Sequence, residues 1–205
     1  MSVGIARIAD GEPAESKRRD GRALLLNGAR QLLAEKGYAG MELRDVAERG
    51  KAPRGSIYHH FPGGKSQLAI EAARAEGEEI GALIERSIED RGLRGTLDLF
   101  GEIFRRRVVD HPERIGCPVA AAALARPEDP ELAAAATESF RSWEKPIAAA
   151  LLDEGVTRTD AEIFAGLVVS TVEGALIRAR AAGSTDPLDS AIGGLGQALD
   201  RLLEG

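Results

Sequence analysis

Apolar residues recur along most of the chain at intervals of three and four positions, the spacing of one face of an α-helix. The first such stretch carries them at Leu25, Ala29, Leu32 and Leu33, and Gly37 then ends it. Longer stretches of the same kind predict helices over about 65–90, 97–109, 131–153, 160–181 and 187–203. Glycine and proline residues separate these stretches. We therefore predict an all-α fold of about nine helices.

Composition agrees with a helical fold. Aromatic residues make up 4% of the 205 residues, whereas Ala and Leu, which favour helices, recur throughout. The single cysteine, Cys117, excludes an intrachain disulfide, which is typical of a protein of the reducing cytoplasm. No run approaches the roughly 18 apolar residues of a membrane span. Residues 1–15 lack the apolar core of a signal peptide, and we expect a flexible arm there.

Charge is distributed unevenly along the chain. Residues 1–65 hold 12 Lys or Arg against 8 Asp or Glu, whereas residues 66–205 hold 15 against 25. The formal net charge of −6 therefore conceals a positive end. A basic end on an acidic protein indicates that nucleic acid is bound at that end. We call residues 16–65 the head and residues 66–205 the body, and we predict that the head binds DNA.

Two short helical segments lie within the head. One surrounds Leu43–Ala47 and the other runs from Ala52 to Phe61, with a tight turn at Gly50 and Lys51 between them. Helices of this length are not stable alone, so they must pack crosswise on a shared core. This pattern predicts a helix-turn-helix, whose second helix enters the major groove of double-stranded DNA.

The second short helix carries side chains suited to that groove. Its positions outside the shared core are Arg54, Gly55, Ser56, Tyr58, His59 and His60. Arginine can bind a guanine edge through two hydrogen bonds, and Tyr and His can donate to phosphate oxygens. Glycine lets the backbone approach closely. Lys65 opens the next long helix, where its ammonium and the free N–H groups both favour a phosphate.

The segment 37–68 resembles the DNA-binding signature of the TetR family of transcriptional regulators. The resemblance rests on a Gly-Tyr pair, an Asp-Val-Ala helix, Gly-Ser-Ile-Tyr-His-His-Phe and a following lysine. The stretch from Ala52 to Lys65 and the later Gly-Cys-Pro-Val at 116–119 resemble the LmrA/YxaF-like branch. Met41 and Glu42 depart from the family pattern, which has Thr followed by Ser or Thr. Lys51 stands where the turn usually has a glycine in the left-handed conformation.

The resemblance implies a homodimeric repressor that a small apolar effector, such as a multidrug or plant-phenolic compound, releases from operator DNA. It also places an effector pocket among the helices of the body, and bundle helices often form apolar pockets. The candidates are the aromatic residues of the body and its cysteine, which are Phe100, Phe104, Cys117, Phe140, Trp143 and Phe164. Aromatic side chains on helices serve a hydrophobic core equally well, so both roles remain open.

The last two long stretches predict a dimer interface. The stretch from Ile163 to Ile177 is apolar almost all round, so one side must be covered by something other than its own chain. The last stretch repeats leucine and isoleucine at spacings typical of a coiled-coil seam. The predicted interface residues are Leu167, Thr171, Ile192, Leu195, Leu199 and Leu202.

Other kinds of site have less support. Gly63-Gly64-Lys65-Ser66 resembles the end of a P-loop, but the required earlier glycine is replaced by His59. His59 and His60 are adjacent on a helix and point about 100° apart, so they do not form a metal site. Cys117 stands at a helix start, which can lower a thiol pKa, but most lone cysteines are buried and inert.

We expect no catalytic residues, no metal and no cofactor, because no nucleophile–base or ligand spacing recurs. Two alternatives to a repressor remain. Glu42 and Lys51 favour a helical ligand-binding protein that has lost DNA binding, and the other alternative is a helical-bundle enzyme.

Overall fold

The computed structural model describes residues 14–110 and 116–204, with the side chains of residues 14–20 and of Arg54 left aside. The predicted arm lies outside the described residues except for its last two, which begin the first helix. The described part is helical throughout, without a β-strand, which confirms the predicted fold class. Its α-helices are α1 (Ala14–Lys36), α2 (Leu43–Arg49), α3 (Ile57–His60), α4 (Gly64–Asp110), α5 (Pro118–Leu124), α6 (Pro130–Asp153), α7 (Arg158–Ala182) and α8 (Asp186–Glu204).

The number of helices differs slightly from the predicted nine. Eight α-helices are present in the described ranges, together with a 3-10 turn over Arg54–Ser56. The difference arises in α4, because two predicted helices follow each other there without a loop. Gly92 interrupts α4 with φ 68° and ψ 178°, a backbone conformation open to glycine and costly for other residues. Helix α4 therefore has two arms that meet at Gly92.

The head is held together by α1, which packs against α2 and α4. Its core includes Leu25, Val46, Ile57 and Phe61, all of which are buried. The backbone at Gly50, just after α2, lies close to the backbone of Leu24 on α1. A Cβ at Gly50 would be only 2.3 Å from the carbonyl oxygen of Leu24, so the packing requires a glycine there. Two helices of seven and four residues are thereby fixed by a much longer one.

The body is a bundle in which α4 packs mainly against α6, α6 against α5 and α7, and α7 against α8. Its apolar core is continuous with that of the head through the first arm of α4, where Leu68, Ala69, Ala72 and Ala73 are fully buried. No helix within residues 14–110 and 116–204 is long and apolar enough to cross a membrane.

Polar contacts also join the head to the body. Arg30 of α1 forms ion pairs with Glu76 and Glu79 on the first arm of α4. One turn further along, at the C-terminal end of α1, the guanidinium of Arg180 donates to the carbonyl oxygens of Ala34, at 3.1 Å, and Glu35, at 2.7 Å. The last carbonyls of a helix lack intrahelical partners, so Arg180 of α7 acts as a cap for α1.

Candidate DNA-binding surface and body cavity

The recognition segment is the 3-10 turn Arg54–Ser56 and the helix α3 that follows it. Ile57 and Phe61 point into the head, whereas Tyr58 is 65% exposed and His59 and Gly55 are also exposed. This division leaves the polar side chains on the outer face of the head. The hydroxyl of Ser56 donates to the carbonyl oxygen of Pro53 at 2.6 Å, which leaves its oxygen able to accept a further hydrogen bond.

The two histidines have different surroundings. Their rings lie 5.1 Å apart in an edge-to-face arrangement. His60 is half-buried, with its Nε2 near Gly21 of α1 and its ring 6.4 Å from that of Phe61. His59 is the one that faces outward. Of the seven residues predicted to contact DNA, His60 is therefore also part of the packing between α1 and α3.

Lys65 connects the start of α4 to the loop before α2. Its ammonium donates to the carbonyl oxygen of Ala39 at 3.3 Å and lies 4.7 Å from the centre of the Tyr38 ring. An ammonium has three N–H donors, so these contacts leave it able to bind a phosphate oxygen as well. The structure thus adds a positioning role to the phosphate contact expected from the sequence.

The turn between α2 and the recognition segment has the left-handed residue that the family pattern requires. Lys51 adopts φ 54°, whereas Gly50 has an ordinary helical φ of −75°. Lys51 therefore bears the energetic cost of the left-handed conformation. Gly50 has a different role, because a side chain at this position would clash with the backbone of Leu24. Met41, the other departure on this side, is fully buried in the head. Glu42 precedes α2 without a side-chain hydrogen bond to it.

A cavity of about 70 Å³ lies in the body between both arms of α4 and the helices α6 and α7. Five of the six predicted pocket residues line it, namely Phe100, Phe104, Cys117, Trp143 and Phe164. The sixth, Phe140, is not among the lining residues. It packs edge-on against Trp143, with the ring centres 5.3 Å apart. Most other lining side chains are aliphatic, including Ile80, Ile84, Leu97, Ile147, Val168 and Val172.

Few polar groups face this cavity. Thr96 is already engaged, because its hydroxyl donates to the carbonyl oxygen of Gly92 at 2.8 Å. Arg107 is exposed, and its guanidinium carbon lies 5.8 Å from the centre of the Phe104 ring. The remaining polar groups are Cys117 and Glu173, which are hydrogen-bonded to each other.

Burial controls the ionisation of Glu173 and Cys117. It raises the pKa of Glu173 from 4.5 to about 7, and the carboxylate of Glu76 contributes in the same direction. It also raises the pKa of the Cys117 thiol well above its ordinary value, again with a contribution from a neighbouring carboxylate. Cys117 does stand at the start of α5, where its Sγ accepts from the N–H of Ala120 at 3.5 Å. Burial outweighs this favourable helix-start position, so the thiol stays protonated at neutral pH.

The predicted dimer residues divide into two groups. Leu167 is 46% exposed on α7, Thr171 is half-buried on the same helix, and Leu202 is half-buried on α8. By contrast, the other three α8 residues are buried against their own chain, with 6%, 3% and 1% exposure for Ile192, Leu195 and Leu199. The apolar seam of α8 packs against α4 and α7 of the same chain. A part for these three residues in a dimer interface stays a prediction, and the single chain exposes little of their side chains to a partner.

Three of the exposed apolar residues in the described part of the chain lie together on one face of α7. Ile163 and Ile177 are 64% and 62% exposed, and Leu167 stands between them on the same face. The sequence signalled this surface through the nearly all-apolar stretch 163–177 and through the predicted residues Leu167 and Thr171, whereas Ile163 and Ile177 were not among the predicted interface residues. It likewise gave no sign that Arg180 caps α1 or that Glu173, the one acidic residue of that stretch, lines a cavity.

The sequence was compared with those of known protein families and proteins, and it matches transcriptional regulators along most of its length. Residues 25–72 match the bacterial regulatory proteins of the tetR family, and residues 95–193 match the C-terminal domain of LmrA/YxaF-like transcriptional regulators. Rv0196, an uncharacterized HTH-type transcriptional regulator of Mycobacterium tuberculosis, is 32% identical over 82% of this chain and 88% of its own length. YxaF of Bacillus subtilis, also named an uncharacterized regulator, is 30% identical over 79% of this chain and 86% of its own length.

Solved structures agree on the fold. A regulatory protein TetR from Rhodobacter sphaeroides superposes with a TM-score of 0.76, over 86% of this chain and 97% of that one, at 22% identity. A helix-turn-helix head on a helical body thus defines a DNA-binding transcriptional regulator, and the chain belongs to the TetR family. Within that family it is an LmrA/YxaF-like regulator. The family and the fold are those of regulators and not of enzymes.

Proposed function

We propose that the protein is a repressor, which binds a palindromic operator in double-stranded DNA as a homodimer and leaves it when a small, mainly apolar molecule enters the cavity. The observation that carries the proposal is that α4 belongs to both sites. Only residues 61–63 separate the recognition helix α3 from α4, and the second arm of α4 contributes Phe100 and Phe104 to the cavity. A ligand that displaces α4 therefore displaces the recognition helix.

The exposed face of α7 supports a homodimer. Ile163, Leu167 and Ile177 lie at positions i, i+4 and i+14, on one side of the helix, and each is largely exposed in the single chain. Gly174 on α7 and Gly193 on α8 have open space where a side chain would stand, so a second backbone can approach closely. Two copies joined through this face would carry two recognition helices related by a two-fold axis, as a palindrome requires.

The size of the cavity supports release by a conformational change. Pockets for drug-sized ligands have volumes of roughly 300 Å³ or more. The cavity has about 70 Å³, so a ligand of that size must move its walls, and α4 is one of them. Turning a mostly bound regulator into a mostly released one needs about 5.5 kcal/mol of preference for one conformation. A cavity that must widen provides such a difference. We place this activity in the cytoplasm, where bacterial DNA is found.

The decisive test is DNA binding by the purified chain. Fragments of the source genome are passed over the immobilised protein, and the retained fragments are sequenced and confirmed by gel shift. We expect a palindromic site, with affinity falling about tenfold or more in Tyr58→Ala because the side chain is exposed on the recognition segment. Arg141→Ala, which removes an exposed charge from α6, serves as the control and should bind normally.

A wild-type chain that retains no fragment at low salt contradicts the proposal. That outcome favours the alternative of a helical ligand-binding protein without DNA binding. Lys65→Ala refines the role of the α4 start, because loss of a phosphate contact weakens binding to all sequences and reduces its salt dependence. A change of sequence preference with an unchanged salt dependence would show that Lys65 does not contact phosphate.

A further inference from the structure

We propose that the effector of the body cavity is a small apolar molecule with one protonated amine, and that Glu173 is the residue that binds the amine. The inference rests on the proposed function, because it names the class of ligand for that same cavity. It begins from one observation, the presence of a carboxyl group on an otherwise apolar wall.

Glu173 is the one carboxyl group among the described residues that line the cavity. The other polar lining groups do not compensate for its charge. The Thr96 hydroxyl donates to the backbone at Gly92, and Cys117 offers only a weak S–H donor. Arg107 is exposed and lies beside Phe104, and it is not among the groups that shift the pKa of Glu173. The carboxylate therefore faces an apolar space with a single weak partner.

The surroundings behind Glu173 add negative charge instead of removing it. Glu76 on α4 acts on Glu173 as a like charge, and Glu76 shares its ion-pair partner Arg30 with a second carboxylate, Glu79. Among the described groups that influence Glu173, none is a cation. Ionisation of Glu173 is therefore unfavourable in the folded protein, and its pKa is raised to about 7.

An ammonium group on the ligand removes this cost. Charge-assisted hydrogen bonds between an ammonium and a carboxylate are roughly twice as strong as neutral ones, and the low dielectric of the cavity strengthens them further. A ligand carboxylate would be repelled by Glu173 and Glu76 together. A neutral hydroxyl gains a hydrogen bond without relieving the charge. Apolar side chains such as Phe100, Ile147 and Val168 receive the rest of the molecule.

The test compares three probes that share one ring, namely benzylamine, benzyl alcohol and benzoate. Binding to the full chain without DNA is followed by the fluorescence of Trp143, the single tryptophan, which lines the cavity, and by calorimetry. At pH 8 we expect benzylamine to bind about tenfold more tightly than benzyl alcohol, and benzoate most weakly. Glu173→Gln should remove the preference for the amine and leave benzyl alcohol unchanged. Glu162→Gln, an exposed carboxyl on the same helix, should behave as wild type.

Proton linkage gives a second readout that needs no variant. Because Glu173 is about half protonated near pH 7, binding of an ammonium should release protons, and calorimetry in two buffers of different ionisation enthalpy detects them. Benzyl alcohol should release none. Equal affinity for amine and alcohol, an amine preference that survives in Glu173→Gln, or the absence of saturable benzylamine binding overturns the inference.

The same probes separate this inference from the proposed function. An amine that binds through Glu173 but leaves the protein on its operator supports the ligand class and contradicts release by the cavity. The opposite result is a neutral compound that releases the operator from a protein that binds benzylamine no more tightly than benzyl alcohol. It supports the proposed function and overturns the ligand class.

Discussion

The chemistry of Glu173 and Cys117 is set by where the fold buries them. Cys117 is the N-cap residue of α5, a place that favours a thiolate, yet burial and the adjacent carboxylate keep the thiol protonated. Glu173 lies on a helix whose neighbouring residues are apolar, and burial brings its pKa to about 7. The two groups therefore share a hydrogen bond in which the thiol donates, and the protonated thiol is not a strong nucleophile at neutral pH.

The raised pKa of Glu173 predicts how stability changes with pH. The unfolded chain ionises this group near 4.5 and the folded chain near 7, so its contribution favours folding below pH 4.5 and is lost as the pH rises to about 7. Glu173→Gln lacks this loss. We expect the variant to gain stability over wild type between pH 5 and pH 8 by up to roughly 3 kcal/mol. Urea unfolding of both proteins at equal concentration measures the difference, and a difference that is constant across this range contradicts the argument.

Helices α2 and α3 depend on the backbone contacts that hold them. With seven and four residues they gain little from helix formation itself, so their positions follow from α1. A Cβ on Gly28 of α1 would meet the carbonyl oxygen of Val46 at 2.5 Å, and Gly50 makes a matching approach to Leu24. The angle between α1 and α2, and with it the direction of the recognition segment, is fixed by glycines with no side chain to adjust.

A matched pair of glycine substitutions separates packing from DNA contact. Gly50→Ala should lower the free energy of unfolding by about 1–3 kcal/mol or more. The added methyl group would clash with the backbone of Leu24, which cannot adopt another rotamer as a side chain could. Gly55→Ala should leave stability unchanged, since nothing lies within 4 Å of the added Cβ. Its expected effect is on the DNA side, as a loss of operator affinity where the backbone approaches the duplex. Thermal unfolding and gel shift distinguish the two, and Gly55→Ala with full affinity would remove Gly55 from the DNA surface.

Helix α8 shows why an amphipathic pattern does not identify its partner. Ile192, Leu195 and Leu199 form one apolar stripe, and the stripe covers α4 and α7 of the same chain. Exposed apolar residues remain on α7 because that helix is apolar on more than one side. The amphipathic helix α8 thus buries its apolar side within its own subunit. The more uniformly apolar helix α7 keeps an exposed apolar face.

Within the whole subunit, α7 takes part in the exposed apolar face, the cavity and the contact with α1. Its outer face carries Leu167, its inner face carries Glu173, and its last turn carries Arg180, which caps α1. Asp129, just before α6, provides a second contact between head and body. Its carboxylate accepts hydrogen bonds from the hydroxyls of Tyr38 of the head, at 3.1 Å, and Ser66 of α4, at 2.6 Å. A change in the cavity therefore reaches the head through several short contacts as well as through α4.

The exposed face of α7 predicts the assembly. Leu167→Arg should give a folded monomer that no longer binds a palindromic operator, because a charge would be buried at the centre of the proposed interface. Val109→Arg changes a valine that is 69% exposed near the end of α4 and should stay dimeric. Leu199→Arg should instead unfold the subunit, since its side chain is 1% exposed in the single chain. Size-exclusion chromatography with light scattering decides, and a monomeric wild type at micromolar concentration contradicts the dimer.

The fold class, the helix-turn-helix and the aromatic part of the cavity lining could be predicted from the sequence. These follow from local properties, because helical spacing, short helices around a glycine turn and clustered aromatic residues are visible along the chain. Tertiary structure alone decided which apolar faces are consumed inside the subunit, as with Leu199, and which remain outside, as with Ile163. It also decided the surroundings of Glu173, because the pKa of a carboxyl depends on the water and charges that distant helices remove or supply. Burial is a property of the packed chain, and no pattern within one helix contains it.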